Sequence, residues 1–145
     1  MPHLPIRQIV LHCTASHTRV RIAEVRRWHV EDRGWSDVGY HHLVSSGGRH
    51  EIGRPETVPG AHVKGHNTGT IGICFSGNPV AGIYPDAEQR AVLIEVVAAC
   101  CGRHGLTSRD VVGHFELDPA GKPDCPGLSM NNVRLEVAHA LGEPT

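Results

Sequence analysis

The sequence predicts an α/β fold in one domain, with a central mixed β-sheet of about five strands flanked by helices. The chain has 145 residues, which suits one domain with its own core and is short for two. Apolar runs of strand length alternate with amphipathic helical segments in the order β, α, hairpin, β, α, β, α. No repeat, linker or low-complexity segment interrupts this order. We therefore expect a single domain over residues 1–145, with its core from about 6 to 141.

The first half of the chain is expected to form a strand, a helix and a hairpin. Residues 6–12 have the composition of a buried strand, which ends in His12. Residues 22–29 place apolar side chains at helical spacing between charged ones, which predicts an amphipathic helix ending near Gly34. Residues 41–46 and 49–54 flank two glycines, which supply the positive φ of a tight turn. This pattern predicts a hairpin.

A second apolar strand and a long helix follow the hairpin. The strand is expected over residues 70–76. Asp86 comes after a proline and is a favourable N-cap, and the helix is expected to end near Gly102 or Gly105. The predicted buried stripe of this helix consists of Ala91, Ile94, Val97, Ala98 and Cys101. Such a helix is expected to cover one face of the sheet.

The C-terminal part predicts a short strand and a last helix. Residues 110–113 form an apolar run that leads into His114. Ser129 is positioned to cap a helix that ends before Gly142. Its inward residues are expected to be Val133, Val137 and Leu141.

Composition excludes several classes of function. The formal net charge is −1, so there is no electrostatic reason to expect binding to nucleic acid or to an anionic membrane. The five cysteines are an odd number without a C-x-x-C pair, which favours reduced thiols. The first residues contain neither a basic region nor an apolar core of a signal peptide, and no segment is apolar over a membrane-spanning length. We expect synthesis in the cytoplasm, no membrane insertion and a monomer.

Three residues far apart in the sequence form a candidate metal site. His12 and His114 each follow an apolar strand, and Cys125 lies in the loop 122–127. Two imidazoles and one thiolate suit zinc and leave a fourth position for water, as in catalytic zinc sites. The spacing is not that of a zinc finger or an H-E-x-x-H helix, so two histidines buried at strand ends and a small buried cysteine are the alternative.

Most other histidines are expected to have no role in a site. His29 is expected on the helix face or in the core, whereas His3, His50, His104 and His139 are in polar or terminal contexts that predict surface positions. Cys13 follows His12 directly, and strand alternation predicts that it points to the opposite face of the sheet. It is therefore not expected to be a ligand.

Six segments resemble those of a known family and occur in the same order. They are Val10 to Ser16, Arg27-Trp28-His29, Gly34 to His41, Gly60 to Asn67, Ile71 to Cys74 and Lys122 to Gly127. The sequence resembles the type 2 N-acetylmuramoyl-L-alanine amidases over about residues 6 to 140, most closely phage lysozymes of the T7 kind and more distantly the peptidoglycan recognition proteins. The resemblance implies their mixed sheet with flanking helices, and cleavage of the amide between N-acetylmuramic acid and L-alanine of the peptidoglycan stem peptide.

The resemblance also implies roles for individual residues. The family's zinc ligands correspond to His12, His114 and Cys125, and the catalytic pair of the T7-like branch corresponds to Tyr40 and Lys122. Lys122 is expected to stabilise the oxyanion, and Tyr40 to orient water or transfer a proton. A solvated loop lysine and a core aromatic are the alternatives for these two.

The ligand loop departs from the family pattern in one position. Lys122 lies three residues before Cys125, whereas T7-like enzymes have the lysine two residues before the cysteine. Asp124 occupies the position that the lysine spacing would give to the third ligand, and some amidases of the superfamily use aspartate there. We favour Cys125, because a thiolate is the softer donor and binds zinc strongly, with Asp124 as the alternative.

Further residues are candidates for substrate binding. His62 and Asn67 lie in a glycine-rich segment with too little apolar content for the core, so contacts with glycan or peptide are expected. Trp35 has the same potential, although core packing is the more frequent role of a single tryptophan.

The resulting functional hypothesis is a phage or prophage endolysin with one zinc ion per chain, acting on peptidoglycan or muropeptides. Without a signal peptide, such an enzyme reaches the cell wall after holin-assisted release. The alternatives are a bacterial amidase that recycles muropeptides, a non-catalytic peptidoglycan-binding module, and a structural zinc domain whose fourth ligand would be a residue such as His17 or His42.

Overall fold

The computed structural model describes residues 5–144, which form a five-stranded sheet flanked by helices. The strands are β1 Gln8–Cys13, β2 His42–Ser45, β3 Arg49–Ile52, β4 Thr70–Phe75 and β5 Val111–Gly113. The helices are α1 Ile22–Arg27, α2 Ala87–His104, α3 His114–Leu117 and α4 Met130–Ala140. The order in the sheet is β3-β2-β4-β1-β5, with β3 antiparallel to β2 and the other neighbours parallel. The predicted mixed sheet is confirmed.

The register of the parallel strands decides where the predicted site lies. His12 is opposite Cys74 of β4, and Leu11 is opposite Gly113, the last residue of β5. The carboxyl ends of β1, β4 and β5 therefore meet at one edge of the sheet. His114 follows β5 directly, so parallel pairing brings it beside His12 although 102 positions separate them.

The two faces of the sheet are covered differently. We call the face under α2 and α4 the packed face, because it holds the larger apolar core, which includes Leu11, Ile73, Phe75, Leu93 and Val137. We call the other face the open face. It carries α1, long loops and a smaller apolar cluster of Val20, Ile22, Val25, Val38, Leu43 and Cys74.

Helix α2 begins and ends where its sequence predicts. Asp86 accepts a hydrogen bond from the Gln89 backbone at 2.8 Å, and the Gln89 side chain accepts one from the Asp86 backbone, which completes a capping box. The helix ends at Gly105, whose φ is 67°. The predicted stripe was too narrow, because Leu93, Val96 and Cys100 are also buried, and its first residue, Ala91, is exposed.

The remaining elements agree with the predictions to within a few residues. Gly47 and Gly48 both have positive φ in the hairpin turn. The helix predicted to end near Gly34 continues from α1 into a π-helical turn at Trp28–Asp32. The short helix α3 was not predicted, because a segment of four residues carries no periodicity. None of the helices within residues 5–144 has the length and apolar character needed to span a membrane.

Candidate active site

The structure brings the three predicted metal ligands together. Nδ1 of His12 lies 3.0 Å from Nδ1 of His114 and 3.9 Å from Sγ of Cys125. One donor atom from each residue lies within 4.8 Å of the other two. His12 and His114 are 1 % and 7 % exposed, and Cys125 is half-buried. The distances suit coordination of one small ion by two imidazole nitrogens and one thiolate.

Local hydrogen bonds fix the loop that carries Cys125. The Cys125 carbonyl accepts a hydrogen bond from the backbone of Phe115 in α3 at 2.8 Å, and the Lys122 backbone donates to Asp118 at 2.9 Å. These bonds join the loop to the helix that starts with His114. The second and third ligands therefore belong to one locally stabilised unit.

Burial keeps the site histidines neutral. It lowers the pKa of His12 well below its usual value, with further lowering from His62 and His114. Burial lowers the pKa of His114, and the positive charge of Lys122 lowers it further. A histidine must be neutral to donate a lone pair to a metal, so both ligands are prepared for binding at neutral pH.

His62 holds the first ligand from behind. Its Nδ1 lies 2.9 Å from Nε2 of His12, and its Nε2 lies 3.2 Å from Oγ1 of Thr70. The ring lies against Gly72 of β4, where an added Cβ would come within 2.6 Å of it. Metal-binding histidines usually have their second nitrogen held by such a partner, which fixes the tautomer and the ring orientation.

Asn67 stabilises the loop that carries His62. Its side-chain oxygen accepts hydrogen bonds from the backbone N–H groups of His62 and Val63, both at 2.8 Å. Both His62 and Asn67 also line the cavity beside the metal cluster. Their predicted contact with substrate stays a prediction.

Tyr40 and Lys122 reach the same site from two sides. The ring centroid of Tyr40 is 5.2 Å from that of His12. Burial raises the pKa of Tyr40 well above its usual value, and Cys74 and Cys125 raise it further, so the phenol keeps its proton at neutral pH. Lys122 is exposed and lines the cavity. A proton donor and a positive charge therefore flank the cluster.

A cavity of about 850 Å³ opens above the cluster, within the size range of pockets for small ligands. Its wall on the α1 side includes Trp28, Arg33 and Trp35. Trp35 packs on His29 with ring centroids 4.6 Å apart, and the guanidinium carbon of Arg33 lies 5.2 Å from the Trp35 ring centroid. Trp35 thus contacts the core on one side and reaches the cavity, which combines both of its predicted uses.

The alternative ligands lie elsewhere. Asp124 is exposed and lines the cavity without joining the cluster. His17 is exposed, and His42 contacts Glu56 on the packed side of the sheet. Cys13 packs partly against the packed-face core, as alternation predicts, but it also lines the cavity of the candidate site. The expectation that Cys13 points away from the site was therefore incomplete.

The other histidines fit their predictions unevenly. His29 is buried and accepts a hydrogen bond from the Gly39 backbone at 2.8 Å, which confirms a core position. His139 and His50 are exposed, although His50 hydrogen-bonds with His42, and His3 lies outside the described residues. The surface prediction for His104 was wrong: it is half-buried, with Nε2 2.8 Å from a Glu56 oxygen.

Two site features were missed by the sequence reasoning. The His12–His62 contact joins residues 50 positions apart, and its only sequence signal is a glycine, Gly72, inside an otherwise apolar strand. His41 is fully buried and accepts a hydrogen bond from the Gly72 backbone at 3.0 Å, while its Nε2 bonds the Val58 carbonyl at 2.8 Å. Its adjacency to Tyr40 gave no indication of that role.

Comparisons with known proteins agree with this geometry. The sequence pattern of the family described as "N-acetylmuramoyl-L-alanine amidase" (Amidase_2) matches residues 2–128. The chain is 37% identical over 133 residues to the endolysin of Klebsiella phage KP32, covering 85% of this chain and 82% of the relative. It is 44% identical over 129 residues to the endolysin of Escherichia phage T7, covering 84% and 81%.

A solved structure with the same fold is the Ph2119 endolysin from the Thermus scotoductus MAT2119 bacteriophage Ph2119. The TM-score is 0.81 at 28% sequence identity, and the match covers 94% of this chain and 87% of the other. The similarity thus includes nearly the whole chain rather than the cluster alone.

Proposed function

The chain belongs to the N-acetylmuramoyl-L-alanine amidase family and is a peptidoglycan hydrolase, and on that premise we propose how it works: one zinc ion bound by His12, His114 and Cys125 serves cleavage of the bond between N-acetylmuramic acid and L-alanine. The observation that carries the proposal is the convergence of these three donors at the base of the 850 Å³ cavity.

The donor set fits zinc and a catalytic role. Two neutral imidazoles and one thiolate are ligands that zinc prefers, and three protein ligands leave one position for water or substrate. The cluster contains no fourth protein ligand among residues 5–144, which argues against a closed structural site. When bound there, zinc supplies Lewis acidity and activates water at neutral pH.

Lys122 is proposed to stabilise the negative charge that develops on the amide carbonyl oxygen. It lines the same cavity as His12 and His114, and its positive charge adds to the lowering of the His114 pKa that burial causes. A donor placed at a developing oxyanion typically lowers the barrier by about 3 to 4 kcal/mol. Lys122 is therefore expected to contribute to the rate rather than to metal binding.

Tyr40 is proposed to orient the attacking water or to transfer a proton. The raised pKa of Tyr40 keeps the hydroxyl protonated at neutral pH, so it acts as a hydrogen-bond donor in the resting enzyme. Its ring packs near His12, which limits the positions that the hydroxyl can take. His62 and Asn67, which line the same cavity, are proposed to contact the glycan or peptide of the substrate.

The proposed biological role is that of a phage or prophage endolysin that acts on the cell wall after release and works as a monomer. The similarity to phage endolysins over more than four fifths of both chains supports this role. Peptidoglycan and muropeptides are the proposed partners. The presence of Tyr40, Lys122 and Cys125 together favours an enzyme over a non-catalytic binding module.

Digestion of purified sacculi and of soluble muropeptides in parallel tests the function. We expect new L-alanine amino termini and intact glycan strands, with sacculi as a good substrate. New reducing sugar ends without new amino termini would contradict the amidase mechanism. Cleavage confined to soluble muropeptides would replace the endolysin role by a recycling role.

Metal analysis tests the third ligand. After challenge with a chelator, the Cys125→Ala variant is expected to lose zinc, whereas Asp124→Ala keeps it, because Asp124 is exposed and outside the cluster. The opposite pattern would assign Asp124 as the ligand.

A further inference from the structure

A second group of ligand-type side chains lies on the packed side of the sheet. His42 begins β2, Glu56 follows β3 and Cys100 belongs to α2, and one donor atom of each lies within 4.8 Å of the other two. We call these three residues the rear cluster. Nε2 of His42 is 2.5 Å from Oε2 of Glu56, and Sγ of Cys100 is 3.6 Å from the same oxygen.

The rear cluster is separate from the active site. It contacts residues of β3 and α2, whereas the catalytic cavity is lined from the open face. His42 is 5 % exposed and Cys100 is fully buried. A cavity of about 550 Å³ runs past His42, His50 and Glu56 to the surface, so an ion from solution has a path to the His42 and Glu56 donors, with Cys100 behind them.

Two ligands of the rear cluster, His42 and Glu56, each have a further histidine within hydrogen-bond distance. Nδ1 of His42 lies 2.9 Å from Nε2 of His50, and the second oxygen of Glu56 lies 2.8 Å from Nε2 of His104. Partners of this kind orient the ligands of metal sites. If the cluster only connected the loop to the helix through polar contacts, a thiol beside the carboxylate would not be needed.

We infer that the rear cluster is a second transition-metal site, with Nε2 of His42, a carboxylate oxygen of Glu56 and Sγ of Cys100 as ligands. One nitrogen, one oxygen and one sulfur donor suit zinc or cobalt(II). Binding displaces the thiol proton of Cys100 to solvent. His42 then carries its single ring proton on Nδ1, where it is donated to His50.

The guanidinium of Arg103 competes with a metal for the rear cluster. Its Nη2 lies 2.6 Å from Oε2 of Glu56, but its side chain is 49 % exposed, so it is free to turn towards solvent when an ion arrives. This competition predicts that Arg103→Gln binds the metal more tightly than the parent chain, whereas His104→Ala binds it about 10- to 100-fold more weakly.

Titration of the full, metal-free chain with cobalt(II) tests the inference. Each thiolate bound to cobalt adds a near-ultraviolet charge-transfer band, so the band reports cysteine ligands rather than catalysis. The parent chain is expected to bind two ions with bands from two thiolates. The Cys125→Ala variant is expected to keep the band that Cys100 contributes, and the Cys100→Ala variant is expected to keep the band that Cys125 contributes. The double variant is expected to show neither band.

Cys101→Ala is the matched control, because Cys101 is the next residue of α2, is equally buried and lies outside the rear cluster. It is expected to keep both bands.

If Cys100→Ala loses its fold, Glu56→Gln gives the same test and is expected to weaken cobalt binding at the rear cluster at least about tenfold. Absence of a charge-transfer band in folded Cys125→Ala would overturn the inference and leave the rear cluster as a metal-free polar contact. Loss of the band in Cys100→Ala would count against the active-site proposal instead.

Discussion

The packed face and the open face share the same strands but differ in what covers them. On the packed face, α2 and α4 close over Leu11, Ile73 and Phe75. On the open face, α1 and the loops leave a cavity of about 850 Å³ lined by His12 and Tyr40. This arrangement separates the larger apolar core, which stabilises the fold, from the candidate active site on the opposite face.

The alternation of side chains along each strand produces this separation. Leu11 points into the packed-face core, whereas its neighbour His12 points into the cavity. In β4, Gly72 and Cys74 face the open side and alternate with Ile71, Ile73 and Phe75 of the packed-face core. A register slip of one residue would exchange the two sets, so the apolar core also fixes the proposed metal ligand His12 in place.

The largest expected effect is on the packed face. Leu93→Ala removes a fully buried side chain of α2 and is expected to lower the free energy of unfolding by about 2 to 5 kcal/mol, from lost burial and the cavity that remains. Denaturant unfolding measures the loss. Metal content and turnover of the folded fraction are expected to stay near parent values.

The matched control is Leu135→Ala, since Leu135 is 61 % exposed on α4; it is expected to change stability by less than about 0.5 kcal/mol. If Leu93→Ala released the active-site metal while still folded, the proposed separation between the faces would fail.

The packed face was also the more predictable one. Its signals are local: the apolar runs of β1 and β4, the Asp86 cap of α2 and the helical spacing of Val133 and Val137. Helical periodicity alone did not give the width of the buried stripe, because α2 contacts both the sheet and α4. Tertiary contacts on two sides bury residues beyond one helical stripe.

The next effect is on the rate of the open-face chemistry. Tyr40→Phe and Lys122→Ala are each expected to lower turnover by about 10²- to 10³-fold, since each removes a group proposed to act in the transition state. Zinc content and unfolding free energy are expected to change little, because neither is a proposed ligand. Release of L-alanine amino termini measures turnover.

Two variants sharpen this test. Tyr84→Phe removes the hydroxyl of a tyrosine that is 59 % exposed, and it is expected to leave turnover unchanged. Lys64→Ala removes another positive charge at the same cavity and separates general attraction of substrate from a specific role of Lys122. Parent-like turnover in Tyr40→Phe, or loss of its metal, would rule out the role assigned to Tyr40.

The open face was predictable only in part. The positions of His12 and His114 at the ends of apolar strands indicated that the two side chains would lie together, because parallel strands place their carboxyl ends at one edge. The contact of His62 with His12 depends on a loop that returns to the sheet from a distant segment, and the same is true of the rear cluster around His42 on the packed side. No local pattern encodes which side chains such loops bring together.

A smaller effect is expected behind the first ligand. His62→Phe removes the hydrogen bond to Nε2 of His12 while keeping a ring of similar size against Gly72. It is expected to weaken zinc binding about 10- to 100-fold, measured by competition with a chelator. His139→Phe on the exposed side of α4 is the control. Equal affinities in the two variants would show that His62 does not position His12.

The smallest effect concerns the ion pair that holds α1 to β3. Glu51 accepts hydrogen bonds from Arg21 at 2.7 Å and from the Ile22 backbone at 3.0 Å, and the bond from Arg21 lowers the pKa of Glu51. Because the folded-state pKa is depressed, the stabilisation is fully present above the unfolded value of about 4.3 and is lost as pH falls through the folded value.

Glu51→Gln is therefore expected to lower the melting temperature at pH 7 by only about 1 to 3 °C, since the pair is partly exposed and solvent screens it. The difference from the parent chain should shrink below about pH 4, where the parent also loses the charge. Glu31→Gln, an exposed carboxylate near the end of the same helical segment, is the control. A difference that stays constant between pH 7 and pH 3 would show that Glu51 stabilises the open-face helix through packing or neutral hydrogen bonds, and not through its charge.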